Sequence, residues 1–260
     1  MDTFEFSAQS ATATMPNSNV SGPKHLICFK NWSVDLIMDV IESALRLKCR
    51  LPNTHGQRMD VLANSKVMIL QEVNEPFLNM AVSKAATLLG AYDVKITDQL
   101  AWENDYMGRV FSYMADAIFV STMTHMCAQR FAAQSTVPVL CMRSRTHATI
   151  QALATVMAVF EQFGTLRGIN LSYVGSPHPV LNSYLLLCPM LGANIRFKCC
   201  CEDIESNTNK PWIYFHTGPR GKEVDDHLFE HSNSRTLNAF ENFQYIAAAM
   251  MAFVMRNYKF

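Results

Sequence analysis

The sequence lacks an excess of charge of either sign. Its 22 basic residues cancel its 22 acidic ones and no run of like charge stands out, which argues against a surface built to hold nucleic acid or anionic membrane. Paired cysteine spacing is missing too. The eight cysteines stand at 28, 49, 127, 141, 188 and 199 to 201 with no signal peptide ahead of them, and they read as reduced, intracellular thiols. On an extended segment Cys199 and Cys201 face one way and Cys200 the other, so the triplet reads as packed small residues, and no metal or cofactor is expected. The first 23 residues hold Asp2 and Glu5 but no Lys or Arg. A mitochondrial transit peptide has the opposite character, so residues 1–24 read as a disordered leader. No uninterrupted membrane-length apolar run is present. Residues 168–195 carry no formal charge, yet Pro177, Pro179, Pro189 and Gly192 break them up, and the uncharged run Phe243–Met255 suits a buried helix.

What the chain does have is apolar patterning. At 260 residues, 49% hydrophobic and 17% charged, it can bury one large core or two modest ones. Strand-like and helix-like periods alternate from about residue 33, which predicts an α/β protein with mainly parallel sheets. A helix is expected over 33–48. Lys66–Gln71 is a strand, leading into a helix that Asn74 can cap, with Pro76 in its first turn and Gly90 past its end. Tyr92–Thr97, Asp116–Thr122 and Val137–Met142 read as further strands, with helices near 105–115 and 125–134. A long helix from about Thr146 to Phe163 leads to strands at Ile169–Val174, Asn194–Cys200 and Trp212–His216, with a helix near 180–191. The final apolar segment, Glu241–Met255, is expected to return to the first domain.

Several stretches are more particular. Met114-Ala115-Asp116-Ala117-Ile118, the run from Leu166 to Gly175, and Trp212 to Phe229 with its Glu223-Val224-Asp225-Asp226 and Leu228-Phe229 resemble the ornithine branch of the aspartate/ornithine carbamoyltransferases. The likeness runs from about residue 26 onward. It implies two doubly wound α/β domains with parallel sheets: a carbamoyl-phosphate-type domain at 25–145, with the helix at 241–257 packing back on it, and a shortened, truncated amino-acid-binding-type domain at 146–240. It also implies catalytic trimers formed through the first domain.

The same resemblance marks what is missing. Carbamoyl phosphate is a dianion, and the family holds it with Ser-Thr-Arg-Thr-Arg at a helix start, where backbone N–H groups and arginines neutralise charge. The corresponding run here is Glu75-Pro76-Phe77-Leu78-Asn79. Glu75 brings a like charge, worth on the order of 1–4 kcal/mol of repulsion at contact, and each lost charge-assisted bond costs a further ~1.5–3 kcal/mol. Following Met114-Ala115-Asp116-Ala117, the family's next arginine falls at Ser121. Its His-Pro-x-Gln aligns with Ala148-Thr149-Ile150-Gln151, so only Gln151 matches; His147 lies one position early and, on a helix start, is turned by about 100°. The Asp-x-x-x-Ser-Met-Gly loop that grips the amino acid has no counterpart between Cys201 and Trp212. The late His-Cys-Leu-Pro-Arg motif reads His216-Thr217-Gly218-Pro219-Arg220, with Thr217 in place of the cysteine.

Gln151, His216 and Arg220 are therefore the residual site positions, with no catalytic residue expected. The reading is a carbamoyltransferase-like pseudoenzyme that binds a partner and assembles as a homotrimer or with an active relative, in the cytoplasm, with mitochondria left open by the resemblance. The alternative is an active carbamoyltransferase making citrulline from ornithine and carbamoyl phosphate with a rearranged site that uses Arg220, with Arg143 or Arg145 beside it. A product that folds poorly is the third possibility, because an open sheet that has lost units exposes edges.

Overall fold

The computed structural model describes residues 24–51, 58–97, 106–198, 211–217, 220–221 and 223–260. The leader, the Cys199-Cys200-Cys201 triplet, the stretch up to Pro211, and Gly218 and Pro219 lie outside the described residues.

The first sheet has four parallel strands, β1 (Lys66–Gln71), β2 (Tyr92–Thr97), β3 (Ala117–Ser121) and β4 (Val139–Arg143), in the order β2-β1-β3-β4. Leu26 adds a parallel bridge beside Leu140 at the β4 edge, held by the Leu26 N–H on Val139 O and the Cys141 N–H on Leu26 O. Successive strand residues point to opposite faces, and the core divides accordingly. Val67, Ile69, Phe119, Leu140 and Met142 face one apolar layer; Met68, Leu70, Ile118, Val120, Val139 and Cys141 face another.

The helices α1 (Val34–Arg50), α2 (Pro76–Leu88), α5 (Thr149–Phe163) and α8 (Thr236–Arg256) supply the first layer. The second is covered by α3 (Met107–Ser112) and α4 (His125–Gln134), through Phe111, Ala128, Phe131 and Ala132. Helices on both faces of a parallel sheet make a doubly wound α/β arrangement. Helix α8 packs against α1, α2 and α5, as the apolar run at 241–255 leads one to expect. Its buried Ile246 to Ala252 stretch has almost no polar atoms beyond the backbone. One turn earlier on the same helix, Asn242 is fully buried, accepts from Lys48 Nζ at 2.8 Å and donates to Glu161 Oε2 at 2.9 Å.

The second sheet pairs β5 (Asn170–Val174) with β6 (Asn194–Lys198), again in parallel, with α6 (Pro179–Met190) crossing between them and packing on α5 and β6. The sequence-based strand at Trp212–His216 is corrected. Only Tyr214 makes a bridge, to Ser234, because its N–H and carbonyl are taken by Asn233 O and the Arg235 N–H, in the chain ahead of α8. A short helix α7 (Asp226–Phe229) precedes that chain, capped by Asp225 on the Leu228 N–H. Among the described residues no helix is long and apolar enough to cross a membrane.

Candidate functional site

Ligands of open α/β sheets bind beyond the carboxyl ends of the strands. Here β1 runs into α2 through Glu72 to Glu75, β3 ends at Ser121, and β4 ends at Arg143. Glu75 occupies the cap position of α2 with no side-chain capping bond, and Pro76 stands in its first turn. Asn74, expected to cap, does not. The Glu75 carboxylate instead forms an ion pair with Arg143 Nη1, from the end of β4. Burial pushes the Glu75 carboxyl up and the Arg143 guanidinium offsets only part of that.

The rest of the degenerate loop is occupied with packing. Phe77 is exposed and its ring lies 5.5 Å from that of Phe240. Leu78 is in the core. Asn79 is buried and donates to Gln71 Oε1 at 2.5 Å. Ser121, where an arginine was looked for, is fully buried; its hydroxyl finds no partner, while its carbonyl accepts the Glu72 N–H at 2.8 Å.

Next to Arg143 stands His178, the cap of α6. Its Nδ1 accepts the Val180 N–H at 3.3 Å. Burial, helped by the nearby Arg143 charge, pulls its pKa down to about 4, so the ring is neutral and able to accept at ordinary pH.

The structure gathers the residual positions in one place. Gln151 Nε2 donates to Thr217 O at 2.6 Å. The His216 N–H donates to Thr236 Oγ1 at 2.9 Å, and His216 Nε2 meets Glu223 Oε1 at 3.0 Å. Arg220 is an anchor: it pairs with Asp226, donates to Val224 O at 3.3 Å, and lies over the Phe229 ring at 4.8 Å. Each of the three residual side chains therefore has an intramolecular partner, while the second ring nitrogen of His216, Nδ1, is buried without one. Ala148 is the cap residue of α5, and its N–H donates to Ser183 Oγ at 2.9 Å.

His147 needs a second correction. Helix α5 begins at Thr149, so His147 lies in the preceding turn and the argument from helical rotation does not hold. Ser144 Oγ accepts the N–H groups of Thr146 and His147, and the His147 ring packs edge-on against His125 with centroids 4.8 Å apart. Burial, then the neighbouring His125 and Lys30, lower its pKa to about 4. Sequence reasoning passed over His125 altogether, because nothing in the spacing links it to residue 147.

No protein-family model matches the chain. An ornithine carbamoyltransferase of Bacillus cereus is 25% identical over 195 residues, covering 71% of this chain and 57% of its own length. The chain thus matches just over half the length of that relative. Among solved structures, the ornithine carbamoyltransferase from Pyrococcus furiosus superposes with a TM-score of 0.81 at 20% identity, covering 92% of this chain and 99% of its own. The aspartate transcarbamoylase from Trypanosoma cruzi, solved with carbamoyl phosphate and aspartate, gives 0.78 at 13%, covering 90% and 97%.

The fold is that of a doubly wound carbamoyltransferase. The chain is thus similar in part of its sequence to ornithine carbamoyltransferases and shares its fold with ornithine and aspartate carbamoyltransferases.

Proposed function

We propose that the chain is a carbamoyltransferase-fold pseudoenzyme, which has exchanged carbamoyl transfer for binding a partner. The observation that carries this reading is the ion pair of Glu75 with Arg143 at the start of α2. A helix N-terminus attracts an anion, and here the chain provides its own carboxylate. A dianionic ligand arriving there meets a negative charge where a relative has arginines, and the nearest cation is already engaged. Gln151 and Arg220 are likewise bonded within the chain, as is His216 through Nε2, and a ligand must break those contacts to use the same atoms. Assembly with copies of itself or with an active relative is part of the proposal, and a shortened amino-acid-binding-type domain fits the same loss of substrate contacts.

The test is calorimetric titration of the purified chain with carbamoyl phosphate, with its hydrolysis monitored, followed by ornithine. Absence of heat with either ligand is the expected result. Micromolar binding overturns the proposal and restores the second reading, an active transferase with a rearranged site. That reading draws on one observation: Arg143 reaches the β1–α2 loop from a different strand. Light scattering across a concentration range tests assembly, and a monomer throughout removes the trimer.

A further inference from the structure

Three side chains from distant parts of the chain meet at the carboxyl end of the first sheet. Cys28 follows the Leu26 bridge at the β4 edge, His125 opens α4 just after β3, and His147 sits between β4 and α5. One ligating atom from each, Cys28 Sγ and a ring nitrogen of each histidine, lies within 4.8 Å of the other two. Cys28 is 5% exposed and His147 7%, while His125 is partly open.

A second observation points to a ligand. His147 Nδ1 is buried and has no hydrogen-bond partner, and such an orphaned nitrogen costs roughly 1–3 kcal/mol. The backbone that carries it is fixed: the Ser144 N–H donates to His147 O at 2.7 Å, and Ser144 Oγ accepts the His147 N–H at 3.0 Å. The same hydroxyl lies 3.4 Å from His125 Nδ1, so one serine braces the His125 ring and the His147 backbone.

We propose that Cys28, His125 and His147 bind one zinc-class divalent cation. A thiolate with two neutral imidazoles is a donor set that zinc favours, and tetrahedral bonds of about 2.0–2.3 Å place ligand atoms roughly 3.3–3.8 Å apart. The three atoms, no more than 4.8 Å apart, therefore need draw together by at most about 1.5 Å on loading, a side-chain adjustment. Cys28 releases its thiol proton to solvent as the bond to sulfur forms. The fourth coordination position falls to water or an incoming ligand, reached from the open side at His125. Lys30, exposed on the turn after Cys28, bears electrostatically on both histidines. It opposes the cation and favours an anion as the fourth ligand. The metal ties the Leu26 edge, α4 and the β4–α5 turn to one point, and this assignment does not depend on whether the chain transfers carbamoyl groups.

The experiment titrates the reduced full-length chain with Zn2+ in competition with a chromophoric chelator, and with Co2+ as a spectroscopic probe. One equivalent of Zn2+ is expected, with tetrahedral cobalt bands and thiolate-to-cobalt charge transfer. Cys28→Ser should abolish the charge transfer. His147→Ala should weaken Zn2+ affinity by at least 10-fold and remove the zinc-induced rise in melting temperature. A chain carrying Cys199→Ser, Cys200→Ser and Cys201→Ser together should keep the site. Circular dichroism and a cooperative melt establish that each protein is folded, and His125→Gln is a milder second probe if His147→Ala does not fold. The proposal fails if the folded wild-type chain takes up no metal. It also fails if Cys28→Ser and the histidine variants bind as the wild type does, or if the triple serine chain loses the metal.

Discussion

Arg143 closes onto Glu75 across the end of β3, where Ser121 lies in register between Gln71 of β1 and Arg143 of β4. A serine at that point leaves room for the guanidinium to pass, and the pair joins the start of α2 to the end of β4, a strand that is not a neighbour of β1 in the sheet.

The pair gives a direct handle on anion binding. Glu75→Gln keeps a hydrogen-bonding side chain but removes the negative charge from the start of α2. Inorganic phosphate affinity, measured by calorimetry, is expected to rise about 10-fold, equivalent to ~1.4 kcal/mol. Stability should move by no more than about 1 kcal/mol, since burial already disfavours the Glu75 charge and the pair is partly solvated. Unchanged phosphate affinity would mean that Arg143 is held away from ligands by something other than Glu75.

His178 makes stability depend on acidity. Its folded pKa of about 4 lies below its ordinary value near 6.5, so the unfolded chain takes up a proton that the folded ring refuses. Stability from this group is intact above about pH 6.5 and is lost progressively as pH falls toward about 4. For a partly exposed ring the loss is on the order of 1–2 kcal/mol. Asn can still cap α6, so His178→Asn should preserve stability at pH 7.5 and show a flatter decline down to pH 4 by urea unfolding.

Two glycines separate steric from conformational cost. A Cβ at Gly108 meets the Phe131 carbonyl oxygen at 2.2 Å, between α3 and α4, and a backbone atom cannot yield cheaply. Gly108→Ala is expected to cost about 1–3 kcal/mol. Gly164 ends α5 at φ +71° with open space around it, so Gly164→Ala pays mainly for the left-handed backbone, roughly 1–2 kcal/mol. Chemical unfolding midpoints with unchanged slopes check both.

Asn242 should be harder to replace than its apolar surroundings suggest. Its amide accepts from Lys48 and donates to Glu161, and Lys48 also pairs with Glu161 and Glu241. Asn242→Ala removes both charge-assisted bonds and should cost about 2–3 kcal/mol, read as a lower denaturation midpoint. A cost under 0.5 kcal/mol would mean that the Lys48–Glu161 pair closes over the gap by itself.

The alternation of apolar runs was enough to place β1 and β2 at their observed bounds and β3 and β4 within two residues: the inner strands are nearly all apolar, and the edge strand β2 alternates polar with apolar residues. Trp212–His216 has strand-like composition too, but composition does not say where the Tyr214 N–H finds its acceptor. Departures from the family motif were legible one at a time: Glu75 and Arg143 could each be seen, yet 68 positions of chain separate them, and only the sheet order brings them together. The Cys28, His125 and His147 cluster was invisible for the same reason, its members coming from three separate connections around the sheet. His147 was misread because helix α5 starts two residues after it, and one turn of register decides whether a ring points along a helix or into a neighbouring loop.

Helix α8 carries a further consequence, one of timing. The four strands of the first sheet are complete by Arg143, but the layer over α1, α2 and α5 is finished only when residues 236–256 arrive. During synthesis those helices must wait, apolar faces uncovered, until nearly a hundred further residues have been made. A nascent chain stalled before Thr236 is therefore a sticky intermediate that invites chaperones, and maturation of this layer is gated by the arrival of α8.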